Sequence, residues 1–229
     1  MTNAGSMVEY YAQRASEYER IYEKPERQEE LGRLKEFIRT SLTGRDVLEI
    51  ACGTGYWTDV AATTAASISA FDINEDVLAL ARRKAIGPAK VTFQIGDAYQ
   101  LPPQSRRFDA ALAAFWWSHV PRKRLVEFLD GLRRHMSPGA VLVFMDNTHV
   151  PGESTVISRT DAGRNTYQLR KLEDGQTFEV LKNYPKERVL REAVAGWSAD
   201  CDVRWLKYYW LMTCRTVGQD WSLRTTKAG

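Results

Sequence analysis

Three acids stand at or near the ends of successive apolar runs: Glu49 in DVLEI, Asp72 in SISAFD and Asp97 in KVTFQIGD. Directly after the first run comes ACGTGYWT, in which one residue separates Gly53 from Gly55. A strand that turns through glycine into a helix exposes backbone N–H groups and lets a ligand come close to the chain. Spacing narrows the ligand. A dinucleotide fingerprint needs a third glycine where Thr58 stands, and a triphosphate loop needs Gly-Lys-Ser or Gly-Lys-Thr where the chain has Gly55-Tyr56-Trp57. Glu49, just ahead of the turn, repels a pyrophosphate and suits a cationic ligand. Asp72 is placed to accept hydrogen bonds from both hydroxyls of a ribose; Asp97 can accept from an adenine amino group while the Ala98 N–H donates to a ring nitrogen. An acid at a strand end also serves as a helix cap or turn residue. Three of them at successive strand ends argue for a nucleoside site.

The elements that must position these residues follow from periodicity. Tyr11, Ala15, Ser16, Tyr18 and Tyr22 recur at helical spacing, and Pro25 ends that helix and opens a second with Leu31, Leu34, Phe37 and Ile38 on one face. Residues 1–42 thus read as a helical cap. Over 43–148, strands alternate with helices near 56–65, 75–85 and 122–136, the pattern of βαβ crossovers and a parallel sheet. Within 149–187, two strand-like runs flank Asp174-Gly175, a hairpin dipeptide. Residues 188–217 then supply KERVLREAV as a helix, from just before that segment, and DVRWLKYYWLMTCRT as one short and one long strand; 218–229 form a polar, flexible tail.

Composition excludes several functions. The 229 residues are 44% hydrophobic and 27% charged, as in folded globular proteins, and their net charge of +3 is too small to imply a nucleic-acid partner. The basic clusters Arg82-Arg83-Lys84, Arg122-Lys123-Arg124 and Arg133-Arg134 read as solvated helix faces. Three cysteines, Cys52, Cys201 and Cys214, without a secretory apolar region argue against a disulfide framework and for a cytoplasmic location. The longest apolar stretch, residues 108–121, is interrupted by Asp109 and falls short of the roughly 20 residues needed to cross a membrane. No membrane contact and no metal are expected.

VLEIACGTGYWT, the acid of FDI, GDA, FDAALAAFWWSHVP and MSPGAVLVF resemble, in order and spacing over about residues 44–147, the motifs of the Rossmann-like (class I) S-adenosylmethionine-dependent methyltransferases. The resemblance implies an α/β fold: a seven-stranded, mostly parallel sheet with helices on both faces, the amino-terminal cap, and the hairpin as a lid insertion. It implies S-adenosylmethionine as cofactor, with Glu49 and the Ala51, Gly53 and Gly55 backbone near the methionine part, Asp72 on the ribose, Ile73 against the adenine, Asp97 and Ala98 on the adenine edge, and Phe115 beside the methyl group. Ala51 departs from the glycine most common there, and cofactor binding is expected to survive the added methyl. YYAQRASEY is similar to the cap of small-molecule members, in which Tyr11 and Tyr18 would face the active site and Arg14 would reach the methionine carboxylate; packing of the tyrosines on the sheet, with a surface Arg14, is the alternative.

Methyl transfer is an in-line displacement, so the protein mainly aligns the nucleophile and excludes water. His119 and His149 are the candidate general bases for a hydroxyl acceptor, which an amine would not need. Trp116 and Trp117 leave β structure in opposite directions, one to the core and one to form an apolar wall for a planar substrate. Tyr10, Tyr18 and Asn147 join them as candidate substrate contacts, with Tyr167 and Arg170 of the hairpin, where Arg170 could pair with an anionic group. The Asn/Asp-Pro-Pro-aromatic tetrapeptide of methyltransferases acting on DNA bases or protein glutamine is absent; Ala114-Phe115-Trp116-Trp117 stands in its place. The expected function is methylation of an oxygen or nitrogen of a small aromatic or heteroaromatic metabolite by a monomer or homodimer. Carbon methylation of a quinone-like or lipid-like ring, and a catalytically silent cofactor-binding partner, are the alternatives.

Overall fold

The computed structural model describes residues 4–15, 17–196 and 198–217, so Ser16 and the 218–229 tail lie outside it. Its centre is a sheet built from β1 (Asp46–Ile50), β2 (Ser67–Asp72), β3 (Lys90–Ile95), β4 (Phe108–Ala114), β5 (Met136–Asn147), and the later strands β9 (Ser198–Trp205) and β10 (Tyr209–Thr216). The order is β3-β2-β1-β4-β5-β10-β9, parallel throughout except for β10, which runs antiparallel to both its neighbours. Strands β1 and β4 are buried on both faces because helices cover both sides of a parallel sheet. The strand order reverses between β1 and β4, which opens a crevice at their carboxyl ends.

Helices α1 (Ala4–Gln13), α2 (Gln28–Leu42), α3 (Tyr56–Ala62), α4 (Glu75–Ala81), α5 (Leu125–Arg134) and α6 (Glu187–Val194) complete the main layers. Helix α2 buries Leu31, Leu34, Ile38 and Leu42, a stripe at intervals of three and four residues. The expected single helix from Tyr10 to Tyr22 is instead two pieces, α1 and a 3-10 turn over Tyr18–Tyr22. The break lets Tyr10 pack on the hairpin residue Phe178 while Tyr22 stacks on Tyr56 beside the glycine turn. Helix α3 stops earlier than expected because Thr63 and Thr64 turn their hydroxyls to the carbonyls of Val60 and Arg39, a competition with helical bonding. The first of the two final strands is as long as the second, since β9 pairs along β10 from Trp205 back to Ser198.

The hairpin forms a separate three-stranded sheet of β6 (Arg159–Thr160), β7 (Thr166–Lys171) and β8 (Thr177–Leu181). It is fixed to the main sheet by a buried charge. Lys182, just past β8, points its ammonium at Asp146 Oδ1 (2.8 Å), Ser118 Oγ (2.7 Å) and Asn147 Oδ1 (2.9 Å), which satisfies all three of its donors. Asp146 Oδ2 accepts the Ser118 N–H at 2.8 Å, and the Asn183 N–H donates to the Ser118 carbonyl at 2.8 Å. Burial alone would raise the Asp146 carboxyl; the Lys182 ammonium and the hydrogen bonds outweigh it and hold the carboxyl below its ordinary value. Removing one partner of such a pair strands a buried charge. Lys182→Met is therefore expected to lower unfolding free energy by about 3–5 kcal/mol in urea titrations, and a loss under about 1 kcal/mol, the range of exposed pairs, would show that the pair does not fix the hairpin.

Candidate active site

The glycine turn forms one wall of the crevice. Ala51, Gly53 and Gly55 all have positive φ, at 53°, 56° and 79°. That conformation favours glycine, which accounts for the strain at Ala51. A Cβ added at Gly53 would meet nothing within 4 Å, so open space lies over this peptide, whereas one at Gly55 would press on Ala81 of α4 at 3.1 Å. Asp72 holds the turn: its Oδ2 accepts the Gly53 N–H and its Oδ1 the Asn74 N–H, both at 2.9 Å. Each oxygen keeps a further lone pair for a ligand.

Glu49 sits behind this wall, 1% exposed, with no hydrogen-bond partner for Oε2. Burial, with Asp72 adding to it, pushes its carboxyl up to about 8. Ile73 is half exposed and lines the crevice with Asp97 and Ala98. Asp97 Oδ1 accepts the Tyr99 N–H at 2.9 Å and so shapes the turn that carries Ala98. Gly96 is required there, because a Cβ would come within 2.7 Å of the Phe71 ring.

On the β4 side, Phe115 leaves the strand at φ 59° and presents its ring near Trp57, Tyr22 and Tyr209. Trp116 lines the crevice with its ring 6.1 Å from that of Tyr99, over which the Arg124 guanidinium stands at 3.4 Å. Tyr99 and Arg124 were not anticipated from sequence, because their pairing joins two loops. Trp117 turns into the core against Phe144 and Trp210, so its expected place in the substrate wall is corrected.

The cap and hairpin close the crevice from above. Tyr11 and Tyr18 line it, and the Tyr11 hydroxyl lies 2.9 Å from His119 Nε2. His119 Nδ1 lies 2.6 Å from the Leu181 carbonyl, which can only accept, so Nδ1 carries the proton and Nε2 accepts the Tyr11 hydroxyl. Burial, then the Lys182 and Arg170 charges, lower the imidazole to about 3. His119 is thus neutral, with its crevice-side nitrogen already engaged. That is the arrangement of a positioning group and not of the general base expected from sequence.

Several other expectations change. His149 is exposed and packs its ring on Tyr184 at 5.1 Å, away from the crevice lining. Asn147 spends its amide oxygen on Lys182. Tyr167 is buried, with its hydroxyl donating to Asp161 at 2.8 Å. Tyr10 is buried and accepts from Arg14 at 2.7 Å, which turns Arg14 toward Tyr10 and away from the lining. Arg170 stands behind Tyr11, its Nη1 3.3 Å from that hydroxyl. Sequence also missed Asn74, which caps α4 and donates to the Val8 carbonyl of the cap; the Asp-Ile-Asn run was its signal. Among the described residues no group of three His, Cys, Asp or Glu could hold a metal ion, and no helix is long and apolar enough to cross a membrane.

Residues 47–139 match the family model described as a methyltransferase domain. The chain is 33% identical over 158 residues to a demethylmenaquinone methyltransferase of Clavibacter sepedonicus, covering 68% of this chain and 60% of that one. It is 31% identical over 129 residues to a protein-L-isoaspartate O-methyltransferase of Methylorubrum populi, 56% of each chain. The chain spans about half the length of the curated relatives it matches. Among solved structures, one described as a DhpI-SAM-HEP complex superposes with TM-score 0.76 at 29% identity, over 94% of this chain and all of that one.

Two substitutions test the glycine wall. Ala51→Gly relieves the positive φ and is expected to raise stability by roughly 1 kcal/mol in chemical denaturation; a loss of stability would contradict the strain. Asp72→Ala is expected to weaken S-adenosylhomocysteine binding at least tenfold, ~1.4 kcal/mol, by calorimetry, and unchanged affinity would remove Asp72 from the ligand site.

Proposed function

We propose, from the premise that the chain belongs to the class I, Rossmann-like S-adenosylmethionine-dependent methyltransferases, that it transfers a methyl group to an oxygen or nitrogen of a small molecule. The observation that carries this reading is the set of groups converging on one crevice: a positive-φ turn under open space, Asp72 with lone pairs to spare, and Asp97 beside Ala98. These suit a nucleoside; Glu49 lies behind the turn with one oxygen unpartnered and its carboxyl pushed up to about 8 by burial, and a positive charge close by would favour its ionised form. S-adenosylmethionine, when bound, supplies a methyl group on a positively charged sulfur.

The chain's own part is positioning. Asp72 orients the ribose, Ile73 and Tyr99 bound the base, and Asp97 with the Ala98 N–H reads its edge. Phe115, Trp116, Tyr18 and Tyr22 give an apolar surround that excludes water, while Tyr11 and His119 set a polar point at the closed end. Because a sulfonium is an excellent leaving group, alignment and desolvation account for most of what such a site must do.

The relatives named demethylmenaquinone methyltransferases support a second reading, methylation of a ring carbon in a quinone-like molecule. Incubation with methyl-labelled S-adenosylmethionine and the small-molecule fraction of a cell extract, followed by mass spectrometry, separates the readings. Label on oxygen or nitrogen is the expected result, and label on a ring carbon would transfer the proposal to the quinone-like class. S-adenosylhomocysteine binding without label in any extract component would mark the chain as a silent partner protein.

A further inference from the structure

Cys201 and Cys214 stand directly opposite each other in the antiparallel register of β9 and β10. The turn that joins the strands decides what kind of pair they form. The Leu206 N–H donates to the Tyr209 carbonyl at 2.8 Å, which makes these two a hydrogen-bonded pair. Hydrogen-bonded and non-hydrogen-bonded pairs alternate along an antiparallel ladder. The cysteines lie five steps further along the same register, an odd count, so theirs is a non-hydrogen-bonded pair. Trp205 and Trp210, one step from the turn and of the same kind, show the consequence: their rings face each other at 6.5 Å.

Opposed residues of that kind lie about 4.5 Å apart at Cα, inside the roughly 4.4–6.8 Å that a disulfide spans and near its short end. Both side chains turn to one face of the sheet, where Cys201 packs against the core cluster that contains Cys214. Both are free thiols, Cys214 buried and Cys201 half-buried. Cys52, the third cysteine, sits in the glycine turn with no cysteine opposite. Burial raises both thiols of the pair, Cys214 up to about 12, while the Arg191 charge, with Nη1 2.6 Å from the Cys201 carbonyl oxygen, works the other way at Cys201. Exposure and charge thus make Cys201 the sulfur that meets an oxidant and Cys214 the one that follows.

We propose that Cys201 and Cys214 form a reversible dithiol–disulfide site that reacts with small-molecule disulfides and, once oxidised, clamps the edge strand β9 to β10. The Cys201 thiolate attacks one sulfur of the small disulfide, whose other half leaves as a thiol. Cys214 then attacks the Cys201 sulfur and expels the second half. Two protein thiols lose two electrons and two protons in all, and the small disulfide gains them. A Cα spacing below the usual roughly 5.5–6 Å strains the bond and makes it easy to reduce, which suits a switch better than a permanent staple. The site stands apart from the crevice: Cys214 pairs with Leu142 of β5, at the other end of β10 from Tyr209, whose ring meets Phe115.

The test is incubation of the folded full chain with oxidised glutathione, followed by trypsin and mass spectrometry. Trypsin cuts between the two cysteines at Arg204 and Lys207, so a link joins two separate fragments into one mass. That linked mass is expected within a single chain, forming faster as the pH rises toward the raised thiols, and it should disappear with dithiothreitol without unfolding. Cys214→Ala should stall at a glutathione adduct on Cys201, and Cys201→Ala should leave Cys214 unreacted. In the linked form, hydrogen exchange of the β9 amides should slow severalfold. Thiols that stay free, glutathione on both cysteines without a link, a link between chains, or a link that reduces only after unfolding each overturns the site; so does Cys214 reacting as fast without Cys201. Unchanged exchange along β9 overturns the clamp. The wild-type mapping needs no variant and decides the matter even where Cys214→Ala does not fold.

Discussion

The ion pair between Lys182 and Asp146 governs how the two sheets meet. Asp146 lies near the carboxyl end of β5, and Ser118 lies in the turn after β4. By drawing Lys182 onto both, the pair sets the end of β8 over the crevice. A buried ammonium is costly unless its donors are satisfied, and here Asp146, Ser118 and Asn147 take all three. The geometry of the closed end follows from that placement. The Leu181 carbonyl, one residue before the lysine, reaches His119 Nδ1 and fixes the tautomer; Nε2 is left to Tyr11, and Tyr11 in turn meets Arg170.

The amino-terminal cap is held by a second set of polar contacts. Asn74 donates to the Val8 carbonyl, while Glu19 accepts from Thr54 of the glycine turn and pairs with Lys84. The cap thus touches the same loop and the same Asp72–Asn74 turn that shape one wall of the crevice. Ligand pocket and cover are consequently coupled through shared residues. Between them the walls are aromatic, from Tyr18 and Tyr22 to Phe115 and Trp116, which makes the enclosed space apolar apart from the few groups that orient a ligand.

How much of this was readable in the chain depended on distance along it. Gly53, Asp72, Asp97 and Ala98 were legible as crevice-lining positions because local spacing after a strand dictates where each side chain or N–H points, whereas Gly55, expected beside them, packs toward Ala81 of α4. The opposite directions of Trp116 and Trp117 followed from strand geometry, though not which of them would reach the core. Asn147, Tyr167 and His149 were misjudged because their partners, Lys182, Asp161 and Tyr184, are chosen by tertiary packing. The role of His119 could not be read either: its low basicity comes from burial and from cations that the hairpin brings from more than fifty residues downstream. The positive φ at Ala51 shows why the resemblance favours glycine there, which composition alone does not reveal.

The central claim is that the crevice at the ends of β1, β2 and β4 is built for a positively charged nucleoside cofactor and not for a dinucleotide. Parallel calorimetric titrations of the purified protein with S-adenosylhomocysteine and with NAD test it most directly. The account predicts micromolar binding of the first and none of the second. Binding of NAD, or of neither ligand, would contradict it.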